Sequence, residues 1–205
     1  MIHGVIVASH GDALHWGLDK FNDIDFAQEV WSFLALGLQL QELYVAPRHM
    51  TPVAWDILAE GLQWARREVH ILQDSHWAFG DPTERHVYCV ASWNVPEARG
   101  FTLLHNPVGL MQRSTKFSFS VVLELPLASA KDDLRVTLVK SIAQTTETWT
   151  SRVSGAVCEH TAAECTIAAE KEISIELLPG EVLVLAVASA KLSLAQESTG
   201  KMILS

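Results

Sequence analysis

The chain has 205 residues, of which 49% are hydrophobic and 19% are charged, a balance typical of globular rather than disordered proteins. Its formal net charge of −9 argues against a nucleic-acid partner, because affinity for nucleic acids comes largely from lysines and arginines that neutralise phosphates. No apolar run reaches the roughly 18–20 residues that span a bilayer, so no membrane partner is expected.

The N-terminus and the cysteines bear on the cellular compartment. The first residues lack the basic start and the long apolar centre of a signal peptide, so we expect a cytoplasmic protein if Met1 is the true start. Cys89, Cys158 and Cys165 cannot all pair within one chain. We therefore expect no disulfide framework.

The first third of the chain alternates predicted strands and helices. Residues 2–8 form a short apolar run typical of a buried strand, and residues 38–45 alternate apolar and polar side chains as a strand does. Between these two strands, Asp25 is expected to cap a helix over residues 26–36 that ends at Gly37.

A second helix and a third strand are predicted next. Thr51 and Pro52 are a strong helix start, with Thr51 as the N-cap and Pro52 at the first helical position. Apolar residues then recur at helical spacing. The apolar run over residues 69–72 predicts a third strand, which leads directly into residues 73–77.

This alternation predicts a parallel sheet with right-handed crossovers. In such sheets, sites gather beyond the carboxyl ends of the strands. Six side chains that carry chemistry stand at those ends in this sequence: His10 after the first strand, Glu42 and Tyr44 on the second, and Asp74, His76 and Trp77 after the third. We therefore expect these six side chains to share one cleft.

The later part of the chain is predicted to be all-β, with the break near the turn-rich residues 80–85. Six of the seven tryptophans and eight of the nine histidines lie before residue 106, so the region after it is poor in chemistry. Strands are expected over residues 86–93, 100–105, 116–125, 134–139, 173–178 and 182–187. Several short strands with turns between them favour an antiparallel β-sandwich, whereas residues 144–171 are ambiguous.

Several short motifs resemble a known family. They are Leu40-Gln-Glu-Leu-Tyr44, Met50-Thr-Pro52, Trp55-Asp56, Leu72-Gln-Asp-Ser-His-Trp77, Gly80-Asp-Pro82, Ala91-Ser-Trp93 and Asn106-Pro107. This pattern resembles the C-terminal part of a family of large microbial proteins, which are similar to α-galactosidase-type glycoside hydrolases and sometimes carry the label enterotoxin. The resemblance is densest over residues 1–110.

The resemblance implies an α/β segment followed by an all-β segment. Residues 1–82 would form the end of a (β/α)8 barrel, and residues 83–205 would form a C-terminal antiparallel β-sandwich. A whole barrel takes about 250 residues, so the first segment would supply only the last two or three barrel strands. In the enzymes that the chain resembles, the nucleophilic carboxylate comes from a middle strand, which implies that the chain lacks at least one catalytic carboxylate.

Glu42 and Asp74 are the candidate catalytic residues. Glycoside hydrolysis uses two carboxylates, and these two end successive predicted strands. Sugar-hydroxyl binding without catalysis is one alternative for either residue. The others are structural: Glu42 as an anion that accepts hydrogen bonds from a loop, and Asp74 as the cap of a helix or turn.

His10, Tyr44, His76 and Trp77 are the candidate substrate-binding residues. An indole face packs on the apolar face of a pyranose ring, and an imidazole donates to a hydroxyl group. An equal alternative is that Trp77 packs in the interface between the barrel segment and the sandwich, and the same alternative holds for Tyr44.

We expect no metal and no cofactor. His70, Asp74 and His76 would lie on the same face of an extended chain, since alternate residues point to opposite faces. However, His70 would lie about 20 Å from His76 at about 3.3 Å per residue. One metal bound by all three side chains would require a bend.

Two classes of function follow. The first is a glycoside-hydrolase-like protein that binds or acts on an α-linked sugar and is catalytically incomplete until further sequence or a partner chain completes the barrel. The second is a non-catalytic carbohydrate-binding or structural β-sandwich module. An open parallel edge at residues 2–8 also predicts self-association.

Overall fold

The computed structural model describes residues 3–8, 23–37, 40–45, 47, 50–143, 148–156, 158 and 164–191. For residues 3–8 and 40–45 it describes the backbone alone. His10 lies outside the described residues, and so do the side chains of Glu42 and Tyr44.

The first two strands confirm the predicted parallel pairing. Strand β1 (His3–Ala8) pairs with β2 (Leu40–Val45) in parallel, from His3 opposite Leu40 to Ala8 opposite Val45. Helix α1 (Asp23–Ala35) is the crossover between them. It begins before Asp25, so Asp25 is not its cap. Asp25 lies instead in the first turn, where the helix dipole favours a carboxylate.

Helix α2 (Pro52–Arg67) begins where the sequence predicted. The hydroxyl oxygen of Thr51 accepts a hydrogen bond from the backbone N–H of Ala54 at 3.0 Å, which satisfies one free donor of the first turn. The same hydroxyl donates to the carboxylate of Asp23 at 2.8 Å. The start of α2 is thereby tied to the start of α1.

The predicted third parallel strand is wrong. Residues 69–72 form a short helix, α3 (Val69–Leu72), in which the backbone N–H of Leu72 donates to the carbonyl of Glu68. A four-residue apolar run has no periodicity that separates a strand from a helical turn, and here a new helical turn begins at Glu68 directly after α2. The next strand, β3 (His76–Phe79), pairs antiparallel with a later strand rather than with β2.

Most of the predicted later strands are confirmed. The strands after β3 are β4 (Tyr88–Asn94), β5 (Arg99–His105), β6 (Gln112–Arg113), β7 (Asp133–Ile142), β8 (Val153–Ser154), β9 (Glu164–Ala168), β10 (Ser174–Leu177) and β11 (Val182–Ser189). One prediction is wrong, since the stretch 116–125 contains the short helix α4 (Phe119–Val122) instead of a strand. The buried residues of this stretch include Phe119, Val122 and Leu123, which follow a helical spacing. Neighbouring apolar residues make this spacing hard to recognise in the sequence.

A six-stranded antiparallel sheet lies at the centre of the structure, in the order β3-β4-β5-β11-β7-β9. Helices α1 to α3 cover one face through an apolar cluster that includes Trp31, Trp64 and Phe101. A smaller sheet, β6-β10-β8, and α4 contribute to the cluster on the opposite face. The architecture is therefore a mixture of helices and antiparallel sheet. Within the described residues, β1 and β2 form a separate two-stranded sheet.

The expectation about cysteines is wrong. Cys158 and Cys165 form a disulfide, which leaves Cys89 as a buried free thiol. Counting three cysteines excluded complete pairing but did not exclude a single bridge. Among the described helices, none combines the length and the apolar character that a membrane crossing requires.

Candidate functional site

Of the predicted site residues that the structure describes in full, Asp74 and His76 do not follow a parallel strand. Asp74 follows α3 rather than a parallel strand. The hydroxyl of Ser75 donates to the carbonyl of Ala35 at 3.0 Å, and the carbonyl oxygen of Leu72 lies so close to Gly37 that a Cβ there would come within 1.9 Å. Asp74 therefore lies beside the chain that leads into β2, on the side of the sheet where β2 begins.

This placement removes the reason for pairing Asp74 with Glu42. Strand β2 ends at Val45, about 17 Å along the strand from Leu40 at about 3.3 Å per residue. A parallel-sheet site would gather at that end, three residues beyond Glu42, whereas Asp74 follows a helix. Asp74 is exposed on a turn. Joint catalysis by Glu42 and Asp74 stays a prediction, but the third parallel strand on which it depended is absent from the described residues.

His76 is placed in a structural contact. Its ring nitrogen Nε2 lies 2.8 Å from the carbonyl oxygen of Val122, and a carbonyl can only accept, so Nε2 carries the proton. This hydrogen bond joins β3 to the end of α4. The ring nitrogen that would donate to a sugar is therefore already used within the protein.

Trp77 is held as a rigid and accessible platform. Its indole stacks on the ring of Tyr88, with a centroid separation of 4.8 Å and an interplanar angle of 16°. Its Nε1–H donates to the carbonyl of Gly80 at 2.8 Å, and 47% of the residue remains exposed. One face and one edge are thus fixed by the protein, and the other face is left for an apolar surface to pack on.

His105 supports the platform from the other side of Tyr88, although the sequence did not indicate it as a site residue. The two residues face each other across β4 and β5, and the Tyr88 hydroxyl lies 2.7 Å from Nδ1 of His105. Burial lowers the pKa of His105 to about 4 and raises the pKa of Tyr88. At neutral pH the Tyr88 hydroxyl is therefore protonated and donates a hydrogen bond to the neutral imidazole of His105.

A groove begins beside the platform, and we refer to it as the Gly80 groove. It has a volume of about 510 Å³ and is lined by Gly80, His86, Val87, Gln112, Arg113 and Thr115. Gly80 has φ +86°, and a Cβ there would lie 2.3 Å from the carbonyl oxygen of Val87, so a side chain cannot stand at this position. Gly80 lines the groove and its carbonyl accepts from Trp77, so the groove begins near the platform, although Trp77 itself does not line it.

The two histidines expected near Asp74, His70 and His76, have partners within the protein. Nε2 of His70 lies 2.8 Å from a carboxylate oxygen of Glu97, whereas His76 contacts Val122. In the part of the chain that the structure describes, no three histidine, cysteine or acidic side chains are grouped as a metal site would require.

Comparisons with known proteins show a likeness in fold. No protein-family model and no curated protein matches the chain. The solved structures similar to it include a proposed α-N-acetylgalactosaminidase from Bacillus halodurans C-125, at 11% identity and a TM-score of 0.52 over 83% of this chain and 33% of that chain. A proposed α-galactosidase from Bacteroides fragilis NCTC 9343 matches at 10% identity and a TM-score of 0.51, over 91% of this chain and 32% of that one.

A third similar structure is an α-amylase from Geobacillus thermoleovorans in complex with acarbose, at 9% identity and a TM-score of 0.52, over 91% of this chain and 38% of that chain. The chain thus spans about a third of the length of these proteins. At such identities the likeness concerns the fold alone. It supports a partial glycoside-hydrolase-like fold and does not extend to one particular family or to the enterotoxin label.

Proposed function

We propose that this chain is the C-terminal portion of a glycoside-hydrolase-like protein, and that it binds α-linked saccharides without hydrolysing them by itself. The observation that carries the proposal is the Trp77 platform. A saccharide presents apolar ring faces flanked by hydroxyl groups, and the exposed indole next to a polar groove matches both features. The fold likeness to enzymes described as α-galactosidase and α-amylase supports the choice of ligand class.

The rigidity of the platform is a physical reason for it to bind. Immobilising a mobile side chain on association costs about 0.5–1.5 kcal/mol. Trp77 is already fixed by Tyr88 and by the carbonyl of Gly80, so that cost is met when the protein folds. A ligand that stacks on the free indole face then extends into the Gly80 groove, where Gln112, Arg113 and Thr115 offer polar groups.

The proposal assigns binding rather than hydrolysis because Asp74 follows α3, so the parallel strand that was expected to aim it at Glu42 is absent from the described residues. Hydrolysis requires two carboxyl groups within about 5–10 Å of each other, and nothing in the described fold fixes Asp74 at that distance from Glu42. We expect no hydrolysis of aryl α-galactosides or aryl α-glucosides by this chain. If the chain does hydrolyse these substrates, and both Glu42→Gln and Asp74→Asn abolish the activity, the two carboxylates are catalytic and the proposal of binding alone is wrong.

Calorimetric titration with α-galacto-oligosaccharides and malto-oligosaccharides tests the proposal. Trp77→Ala is expected to weaken binding by about two- to tenfold, since an aromatic contact contributes about 0.5–1.5 kcal/mol. Trp55→Ala is the matched control, because Trp55 is exposed to a similar extent, 42%, but lies on α2. Equal loss in the two variants, or no binding by the wild-type protein, would refute the proposal.

A structural role is the second candidate function. It is favoured by the apolar cluster in which Trp31 and Trp64 of the helices pack with Phe101 of the central sheet. Through this cluster the sheet would support the barrel end of a longer protein. If that is the main role, the helices and the sheet unfold together and no saccharide in the panel binds.

A further inference from the structure

We infer that the proposed saccharide site accepts an acidic saccharide, whose carboxylate or sulfate groups bind Lys116 and Lys171. The inference rests on the proposed function, because it names the class of saccharide. It comes from a second groove on the smaller sheet, which no feature of the sequence had indicated.

The second groove, here named the lysine groove, has a volume of about 410 Å³. Lys116 and Lys171 line it together with Ser154, Ser174 and Glu172. The backbone pairing of Phe117 with Ile173 brings these segments side by side. Two ammonium groups and two hydroxyl-bearing residues therefore lie on one concave surface.

The lysine groove continues from the Gly80 groove. Arg113 lines the Gly80 groove, and its guanidinium donates to the hydroxyl of Ser154, which lines the lysine groove. Glu176 lies 2.9 Å from Arg113 and neutralises its charge. An extended saccharide in the Gly80 groove thus has a polar path past Arg113 to the two lysines, which a small free anion would not use.

The charge of the lysine groove differs from that of the whole protein. Lys116 and Lys171 are exposed, and among the described residues neither has a carboxylate within 4.0 Å, whereas Lys140 and Lys191 each do. Glu172 offsets one of the two charges and leaves the groove with one net positive charge. The chain as a whole carries −9. Because concave surfaces focus the field of their charges, this groove is a place where an otherwise acidic protein attracts anions.

Calorimetric titration with three saccharides tests this inference: polygalacturonate, a sulfated galactan and a neutral galactan. We expect the acidic saccharides to bind more tightly at low salt and to lose that advantage as salt screens the lysines. Polygalacturonate and the sulfated galactan distinguish carboxylate from sulfate as the preferred group. Lys116→Ala and Lys171→Ala should each weaken acidic binding about threefold, which is the scale of an exposed ion pair.

Two further variants test whether binding follows the charge of the groove. Glu172→Gln removes the opposing charge and should tighten acidic binding while leaving neutral binding unchanged. Lys131→Ala, an exposed lysine that does not line the groove, should change neither. Weaker acidic binding in both lysine variants, together with tighter acidic binding in Glu172→Gln, supports the inference.

Three outcomes would overturn it, and they separate it from the proposed function. If neutral galactan binds as tightly as the acidic saccharides and the lysine variants have no effect, the acidic class is wrong and the proposed function stands. If no saccharide binds, both fail. If acidic binding requires the lysines but is unaffected by Trp77→Ala, the groove is a simple anion site and the link to the platform is wrong.

Discussion

The two faces of the central sheet are covered in different ways. On the helix face the contacts come from large aromatic rings. The ring centroid of Trp64 lies 5.1 Å from that of Trp31 and 5.2 Å from that of Phe101. On the opposite face a buried ion pair between Arg152 and Glu181 accompanies the apolar cluster. The helix face therefore depends on apolar burial. The other face depends in addition on a polar network, in which removing either charged partner leaves the other charge buried without compensation.

The comparison also separates the residues that support the fold from those available to a ligand. Both clusters are internal, and the Trp77 platform lies at the strand edge of the same sheet, on β3. Its exposed indole face contributes to neither cluster. Loss of that face should therefore alter binding without altering stability.

The largest expected effect is on the helix face. Trp64→Ala should lower the free energy of unfolding by about 3–5 kcal/mol, because it removes a buried ring and leaves a cavity beside Trp31 and Phe101. Urea denaturation followed by circular dichroism measures this. A single transition that shifts as a whole would show that helices and sheet unfold together. The appearance of a second transition would show that the helix face is a separate unit.

The polar network on the other face should respond next most strongly. Arg152→Met leaves the carboxylate of Glu181 buried without its cation, although Ser141 and the backbone N–H of Leu178 still donate to it. The expected loss is about 3 kcal/mol, at the low end for a broken buried pair because those two donors remain.

The control for this variant is Lys191→Met, which removes the exposed partner of Asp132 and should cost less than about 1 kcal/mol. Equal losses in Arg152→Met and Lys191→Met would contradict the contrast between the two faces. Arg152→Met combined with Glu181→Gln should regain part of the stability, since no uncompensated charge then stays buried.

At neutral pH the smallest expected effect is that of His105, because its contribution changes only in acid. Because burial lowers the pKa of His105 from 6.5 to about 4, the unfolded chain binds a proton there before the folded protein does. Stability from this group is fully present above pH 6.5 and is lost as pH falls from 6.5 towards 4. His105→Gln should flatten the decline in stability over that window. The same slope in His105→Gln and in the wild-type protein would contradict the assignment.

Local signals in the sequence predicted the elements that local contacts determine. Thr51 and Pro52 marked the start of α2, and Gly37, with φ +69°, ends α1 as expected. The parallel pairing of β1 with β2 and most of the antiparallel strands also followed from apolar patterns. Short apolar runs were misread where helical and extended conformations bury them equally well, as at α3 and α4.

The candidate site was only partly predictable. Trp77 was expected to bind a ligand from its place in the chain, and the structure leaves its indole accessible. The roles of Tyr88 and His105 depend on the register between β4 and β5, which no local pattern encodes. The position of Asp74 depended on a strand that does not form. Features set by long-range register or by one misassigned element therefore lay beyond the sequence.

The central claim is that a saccharide packs on the free face of Trp77, and the indole N–H resonances of the protein test it most directly. These resonances are recorded during titration with the tightest-binding saccharide and assigned with Trp77→Phe and Trp55→Phe. We predict that the Trp77 resonance moves in a saturable way and that the Trp55 resonance does not. A titration in which Trp77 stays unchanged while binding is observed, or in which Trp55 moves instead, would contradict the account.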